Sequence, residues 1–224
     1  MTDLDLQWLE EAASHFKSRQ LFYPCSGSDI FDPINIFLPH VEEFWFADLR
    51  YESSVNHPKL PETEFRPISH NDRELSGYTL KHNKPFTISI HTHKYVHHAT
   101  EKEITINFCA GHGYNVFRAA LRNNNIKLSV FFYRGDSTGD GGSGFCWLKR
   151  KLLRYVLTEI EAGGLLISDG SNAIPELSVC HCTNTFGEDA IAKSKSFSHR
   201  DHQLKCRGYL GQKNGPTLAW HVSR

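Results

Sequence analysis

The chain has 224 residues, and its 25 Lys and Arg are balanced by 25 Asp and Glu. This balance excludes a strongly basic surface, so we expect no general nucleic-acid partner. A content of 39% hydrophobic and 22% charged residues excludes a disordered or fibrous chain.

The chain begins with the acidic segment MTDLDLQWLEE, which lacks the positive flank of a secretory signal. No apolar stretch reaches the roughly 20 residues that a membrane-spanning helix needs. Together with a modest count of 6 cysteines, these features favour a cytoplasmic protein with reduced thiols and no membrane partner.

Two kinds of element are predicted in the first fifty residues. Apolar residues at helical spacing indicate an amphipathic leading helix over 1–19, and the short apolar runs at 21–23 and 44–47 indicate two buried strands. Each of these strands ends in turn chemistry, at Pro24 and at Asp48.

The segment 52–84 is polar and contains several prolines, which favours an irregular connection with little regular structure. Alternating apolar and polar residues over 86–109 then predict a hairpin insertion with one wetter face. The second arm of this hairpin ends at a glycine turn, Gly111-His112-Gly113.

The second half of the chain contains the clearest unit, over 127–169. A strand-like run is followed by a glycine-rich loop, an amphipathic helix and another strand, which is the pattern of a right-handed βαβ unit. Two further apolar runs, at 204–210 and 217–222, flank an Asn-Gly turn and predict a terminal antiparallel hairpin.

A candidate ligand edge follows from two of these strand ends. Gly27 lies in the loop after the first strand, and Asp48 ends the second strand twenty-one residues later. In open parallel sheets a glycine turn lets a ligand approach the backbone, and an acid about twenty residues further on accepts ribose hydroxyls. The alternative is structural, with Gly27 serving a turn and Asp48 acting as a cap or a surface acid.

A second glycine loop, 139–144, matches the G-x-G-x-x-G pattern of nicotinamide and flavin sites. It opens a predicted helix, and a strand that ends in Asp169 follows. Residues 135–138 separate the loop from the preceding strand, whereas the first glycine of a dinucleotide fold lies at the end of its strand. A nicotinamide-dependent oxidoreductase is therefore kept as an alternative.

Two groups of histidine and cysteine invite a metal hypothesis. His91 and His93 are two residues apart, which places both imidazoles on one face of a strand. The second group comprises Cys180, Cys182, His199, His202 and Cys206. Its C-x-C spacing departs from that of a zinc knuckle, so no metal is expected, although the sequence leaves a zinc site in the second group open.

The order of these elements, from the leading helix to the terminal hairpin, resembles that of the class I S-adenosylmethionine-dependent methyltransferases. The resemblance implies a single α/β domain over 1–224, a Rossmann-like three-layer sandwich whose mostly parallel sheet closes with an antiparallel C-terminal hairpin. It implies S-adenosylmethionine as the cofactor and a methyl acceptor, a small molecule or another substrate, that the sequence does not identify. By position, the cofactor-binding residues would be Ser26, Gly27, Ser28, Asp29, Asp48, Gly111, His112 and Gly113.

The same resemblance places Arg134 and Asp136 at the substrate edge, in the segment R-G-D-S. Arg134 would hold an anionic acceptor by bidentate hydrogen bonds, and Asp136 would orient the acceptor or accept its proton. The first loop reads YPCSGSD rather than the D-x-G-x-G-x-G typical of these enzymes. A methyltransferase-like scaffold that has lost catalysis and serves binding is therefore the second hypothesis.

Overall fold

The structure is a computed structural model of the chain, and it describes residues 6–53, 56–78, 84–134, 147–170, 172–177, 196–213 and 215–224. The chain forms two compact units. The middle unit comprises residues 19–127, and the terminal unit comprises residues 1–18 together with residues 128–224.

The middle unit is built on five strands in its described residues. These are β1 (Gln20–Pro24), β2 (Glu43–Asp48), β3 (Phe65–Tyr78), β4 (Pro85–His97) and β5 (Lys102–Ala110). Their order across the sheet is β3-β4-β5-β2-β1. The helical segments of this unit are short: α2 (Phe31–Phe37), α3 (Gly113–Val116), a π-helical turn (Phe117–Leu121) and two 3-10 turns (Leu49–Glu52 and Arg122–Asn124).

Three neighbouring strands of the middle unit, β1, β2 and β5, run parallel to one another. β1 and β2 are almost fully buried, as expected for strands of a parallel sheet that is covered on both faces. The rings of Phe44, Phe46 and Phe108 stack in a row on one of these faces. Because the three strands are parallel, their carboxyl ends lie at the same edge of the sheet.

The other strand pairs of the middle unit are antiparallel, β3 with β4 and β4 with β5. β4 and β5 coincide with the two alternating stretches of the sequence. β3 lies at the end of the strand order and is exposed along most of its length. Pro67, which has no N–H to donate, sits where the β3–β4 register shifts, and such positions at sheet edges tolerate proline.

The terminal unit contains α1 (Gln7–Ala13), α4 (Arg150–Glu159) and a 3-10 turn (Pro175–Leu177). Its strands are β6 (Leu128–Tyr133), β7 (Ile160–Ser168), β8 (Ser196–His199), β9 (His202–Lys213) and β10 (Gly215–Ser223), in the order β6-β7-β10-β9-β8. β6 and β7 are parallel, and the remaining pairs are antiparallel. Glu161 of β7 accepts the backbone N–H groups of Lys17 and Ser18, which anchors the segment after α1.

The expected fold class, a Rossmann-like three-layer sandwich, is wrong. The described part of the chain is 24% helical and 47% strand, with ten strands and only four α-helices. The helix expected over 1–19 spans only Gln7–Ala13 in the described residues. The described strands are therefore not covered by layers of long helices.

The largest departure from the sequence prediction is β3, which occupies Phe65–Tyr78 within the segment expected to be irregular. The alternation that reveals a strand depends on one face being buried. β3 is instead polar on both faces and is held by its backbone pairing with β4. A sequence rule that looks for one buried face therefore does not detect β3.

In the described residues, no helix is both long and apolar enough to cross a membrane.

Candidate ligand site at the ends of three parallel strands

The carboxyl ends of β1, β2 and β5 bring most of the predicted cofactor-binding residues of the middle unit together. The loop 25–29 follows β1, Asp48 ends β2, and the turn 111–113 follows β5. Asp48 is paired in register with Ala110 of β5, and its carbonyl accepts the Gly111 N–H at 3.2 Å. Ligands of open α/β sheets bind beyond the carboxyl ends of parallel strands, so this edge is the candidate site.

Asp48 organises the edge through its carboxylate. Its Oδ2 accepts the Gly27 N–H at 2.9 Å, and its Oδ1 accepts the Arg50 N–H at 2.9 Å, which caps the 3-10 turn that follows β2. A carboxylate has about four lone-pair sites. Two of them are used by these backbone groups, which leaves room for further donors from a ligand.

Gly27 adopts a left-handed backbone conformation, with φ of +55°, which costs glycine little. A Cβ atom built on Gly27 would lie no closer than 3.9 Å to its nearest neighbours, Arg50 Nη1 and Asp48 Oδ2. The surroundings of this glycine are thus open enough for another group to approach the backbone.

Tyr51 lies behind the loop and holds it in place. Its hydroxyl donates to the Gly27 carbonyl and lies 2.8 Å from Ser26 Oγ. Both Tyr51 and Ser26 are buried, and burial raises the pKa of the Tyr51 phenol, so the phenol stays neutral. Sequence reasoning missed Tyr51, although an aromatic residue three positions after Asp48 could have drawn attention to it.

The remaining predicted residues of the edge differ in exposure. Asp29 Oδ2 accepts the Tyr23 hydroxyl at 2.9 Å, which ties the loop back to β1. Ser28 and His112 are exposed, and His112 precedes the first turn of α3. Gly111 has a φ of +148°, and a Cβ there would lie 2.8 Å from Ile88 Cγ2, so glycine is required at this position.

The two predicted catalytic residues belong to the terminal unit. Arg134 directly follows β6 and is 4% exposed, and its guanidinium carbon lies 5.4 Å from the centre of the Phe132 ring. Asp136 and the glycine loop 139–144 lie outside the described residues. The catalytic roles of Arg134 and Asp136, and the nicotinamide alternative, therefore stay predictions.

The structure brings the members of the first histidine group together and describes only part of the second group. His91 and His93 lie on one face of β4, opposite Asp72 and His70 of β3, and the sequence prediction missed these two partners and nearby His57. His70 and Asp72 form an H-x-D pattern at strand spacing within the segment 52–84, and this pattern could have drawn attention to them. In the second group, His199 and His202 pair across β8 and β9 and Cys206 is buried, whereas Cys180 and Cys182 lie outside the described residues.

Comparison of the chain with family models, with curated proteins and with solved structures finds no match in any of the three.

Proposed function

We propose that the edge formed by the loop 25–29, Asp48 and the turn 111–113 binds the adenosine part of S-adenosylmethionine, and that the protein is a methyltransferase. One observation carries this proposal: a half-buried carboxylate at the end of a parallel strand lies beside an open, left-handed glycine. The acceptor is an unidentified small molecule or another substrate.

The chemistry of a ribose supports the assignment of Asp48. The two ring hydroxyls of a ribose are donors, and a carboxylate with unused lone pairs accepts both of them. The open space around Gly27 allows the sugar or the methionine portion to lie against the backbone. Gly111, His112 and Gly113 would then lie on the adenine side.

Methyl transfer needs little beyond correct positioning of the acceptor against the sulfonium. The roles given to Arg134, which would hold an anionic acceptor, and to Asp136, which would orient it or accept its proton, come from the sequence resemblance alone. A cytoplasmic location belongs to the same proposal, supported by Cys109 and Cys206, which are buried and are free thiols in the part of the chain that the structure describes.

A second candidate function is a binding scaffold without catalysis. The observation that favours it is that both oxygens of Asp48 already accept backbone N–H groups, so the carboxylate has a structural role whether or not a ligand binds. The departure of YPCSGSD from the methyltransferase loop pattern points the same way.

Isothermal titration of the full chain with S-adenosylmethionine, S-adenosylhomocysteine and NAD tests the proposal. We expect the first two ligands to bind. Asp48→Ala should weaken both by about 100-fold, because hydrogen bonds to a charged acceptor contribute about 1.5–3 kcal/mol each. Glu52→Ala is the matched control, since Glu52 is an exposed acid on the turn that Asp48 caps, and it should leave binding unchanged.

The other outcomes separate the alternatives. NAD binding that is lost in Gly141→Ala would move the site to the loop 139–144 and contradict the proposal. Binding of none of the three ligands would leave the scaffold function. Circular dichroism of Asp48→Ala and of the milder Asp48→Asn distinguishes loss of the ligand from loss of the fold.

A further inference from the structure

A cluster of five polar side chains, here called the histidine cluster, lies on one face of the middle unit. Its members are His57, His70, Asp72, His91 and His93. His70 is paired directly with His93 across β3 and β4, and Asp72 is paired with His91. Alternate residues of a strand share a face, so the four strand residues project to the same side, where the His57 ring contacts those of His91 and His93.

Three ring nitrogens of this cluster are buried without a hydrogen-bond partner among the described residues: His57 Nδ1, His91 Nε2 and His93 Nε2. Buried polar atoms are nearly always satisfied, and each exception calls for an explanation such as a bound ion. His57 itself is only 7% exposed.

The opposite nitrogens of two of these rings are held by the protein. His57 Nε2 lies 3.1 Å from the Tyr51 carbonyl, to which it donates, and His91 Nδ1 lies 2.7 Å from Asp72 Oδ1. A proton on each of these atoms leaves the lone pair on His57 Nδ1 and on His91 Nε2. Metal-binding histidines are oriented in this way by a carbonyl or a carboxylate on their other nitrogen.

The ring of His57 lies beside the rings of both strand histidines. Its centre is 4.6 Å from that of His91 and 5.8 Å from that of His93. Imidazoles that bind one tetrahedral metal through bonds of about 2.0–2.1 Å have ring centres about 5 Å apart, so a shared ion would draw His57 and His93 closer together. Phe108 stacks on His57 at 4.8 Å and contacts His93 edge-on, so the cluster has an apolar wall.

The state of the imidazoles agrees with this geometry. Burial lowers the pKa of His93 to about 4, and burial also lowers the pKa of His57. Both rings are therefore mainly neutral at pH 7, which is the form that binds a metal.

We propose that the histidine cluster binds one divalent transition metal, with Zn²⁺ as the first candidate, through His57 Nδ1, His91 Nε2 and His93 Nε2. Three imidazole nitrogens suit zinc and its neighbours in the first transition row. Three protein ligands leave the fourth position of a tetrahedral zinc open, as in catalytic sites. Asp72 orients His91 and adds negative charge.

A different set, His70, Asp72 and His91, is the one among the described residues whose ligand atoms all lie within 4.8 Å of one another. Asp72 Oδ1, however, already binds His91 Nδ1 at 2.7 Å and His70 Nε2 at 2.8 Å, and Asp72 and His70 are largely exposed. His91 Nε2, which has no partner among the described residues, is not the nitrogen that Asp72 holds. The three unsatisfied nitrogens favour the set of three histidines over the set that contains Asp72 and His70. The proposed metal site uses none of the residues assigned to S-adenosylmethionine, so either proposal can fail without the other.

Zinc titration of the chelator-treated full chain, in competition with a chromophoric chelator, tests the site. We expect one zinc per chain. His57→Ala, His91→Ala and His93→Ala should each weaken binding by at least about 100-fold, and Asp72→Ala by about 10–100-fold, as for partners behind a ligand. His98→Ala is the matched control, because His98 is exposed on the same hairpin and bonds to the Glu62 carbonyl; it should bind zinc like the unaltered chain.

Three results would overturn the proposal. They are absence of stoichiometric zinc in the reconstituted chain, equal losses in His98→Ala and His91→Ala, or full zinc affinity in His57→Ala with complete loss in His70→Ala. Circular dichroism of each variant without metal identifies those that fail to fold. For any such variant, the visible spectrum of the Co²⁺-loaded unaltered chain decides, because tetrahedral nitrogen ligation is expected and an octahedral oxygen-type spectrum contradicts it.

Discussion

The ligand edge and the histidine cluster both belong to the middle unit, and they use polar groups in opposite ways. At the edge, Asp48 and Tyr51 satisfy the backbone of the loop 25–29. In the cluster, His57, His91 and His93 each bury a nitrogen that has no partner in the described chain. The edge is therefore complete before any ligand arrives, whereas the cluster is not.

Structural and functional polar groups can be separated on this basis. A satisfied group stabilises the fold, so its removal costs folding free energy. A buried unsatisfied group costs folding free energy while it is present, so it is retained for another reason. Substitutions at the edge should therefore change stability, and those in the cluster should change ligand binding first.

Removal of zinc should change the stability of the chain more than any of the substitutions described below. At a zinc concentration about 1,000-fold above the dissociation constant, binding raises the free energy of unfolding by about 4 kcal/mol. For a chain of this size that shift is about 8–16 °C in Tm. Thermal unfolding in zinc and in EDTA measures it, and His91→Ala should unfold at the same temperature in both. Equal Tm values for the unaltered chain would contradict the expectation.

Asp48→Ala is expected to destabilise the chain by about 2 kcal/mol without any ligand. The substitution removes the acceptor of the Gly27 and Arg50 N–H groups and the cap of the turn after β2. Urea unfolding measures the loss. Glu52→Ala should stay within about 0.5 kcal/mol of the unaltered chain, and a loss as large as that of Asp48→Ala would refute the role given to Asp48.

Tyr51→Phe should cost about 1 kcal/mol, because it removes the hydroxyl that joins Ser26 and the Gly27 carbonyl but keeps the buried ring. Tyr78→Phe serves as the control, since Tyr78 is 59% exposed. Urea unfolding of both variants gives the comparison, and equal stability of the two would show that the hydroxyl does not hold the loop.

The smallest change in the free energy of unfolding is expected for His93→Phe in the zinc-free chain. An apolar ring replaces a buried nitrogen without a partner, so stability should stay constant or rise by up to about 1 kcal/mol. The same variant should lose zinc binding. A loss of more than about 2 kcal/mol in urea unfolding would mean that His93 is structural.

The sequence predicts β1 and β2 well, because the runs at 21–23 and 44–47 are apolar and end in turn residues, whereas β5, which is parallel to β2, was expected only as an arm of a hairpin. It also pairs Gly27 with Asp48, and the structure joins them at 2.9 Å. The structural interpretation of Asp48 is confirmed, since its carboxylate caps the turn after β2, and the ribose interpretation stays a prediction. Spacing alone cannot separate these roles.

The histidine cluster could not be assembled from the sequence. His70 and Asp72 lie on a polar strand that has no apolar alternation, and β3 becomes visible only through its pairing with β4. His57 lies outside any strand and reaches the cluster by tertiary packing against Phe108. Such contacts depend on the fold and leave no local pattern.

Tyr51 touches both regions with different atoms. Its phenol holds the loop 25–29, and its carbonyl receives the Nε2–H of His57. An ion that fixes His57 therefore also restrains the residue that shapes the loop 25–29. Energetic coupling of this kind is reciprocal, so a metal that tightens binding of the nucleotide must itself be held more tightly, by the same factor, once the nucleotide is bound.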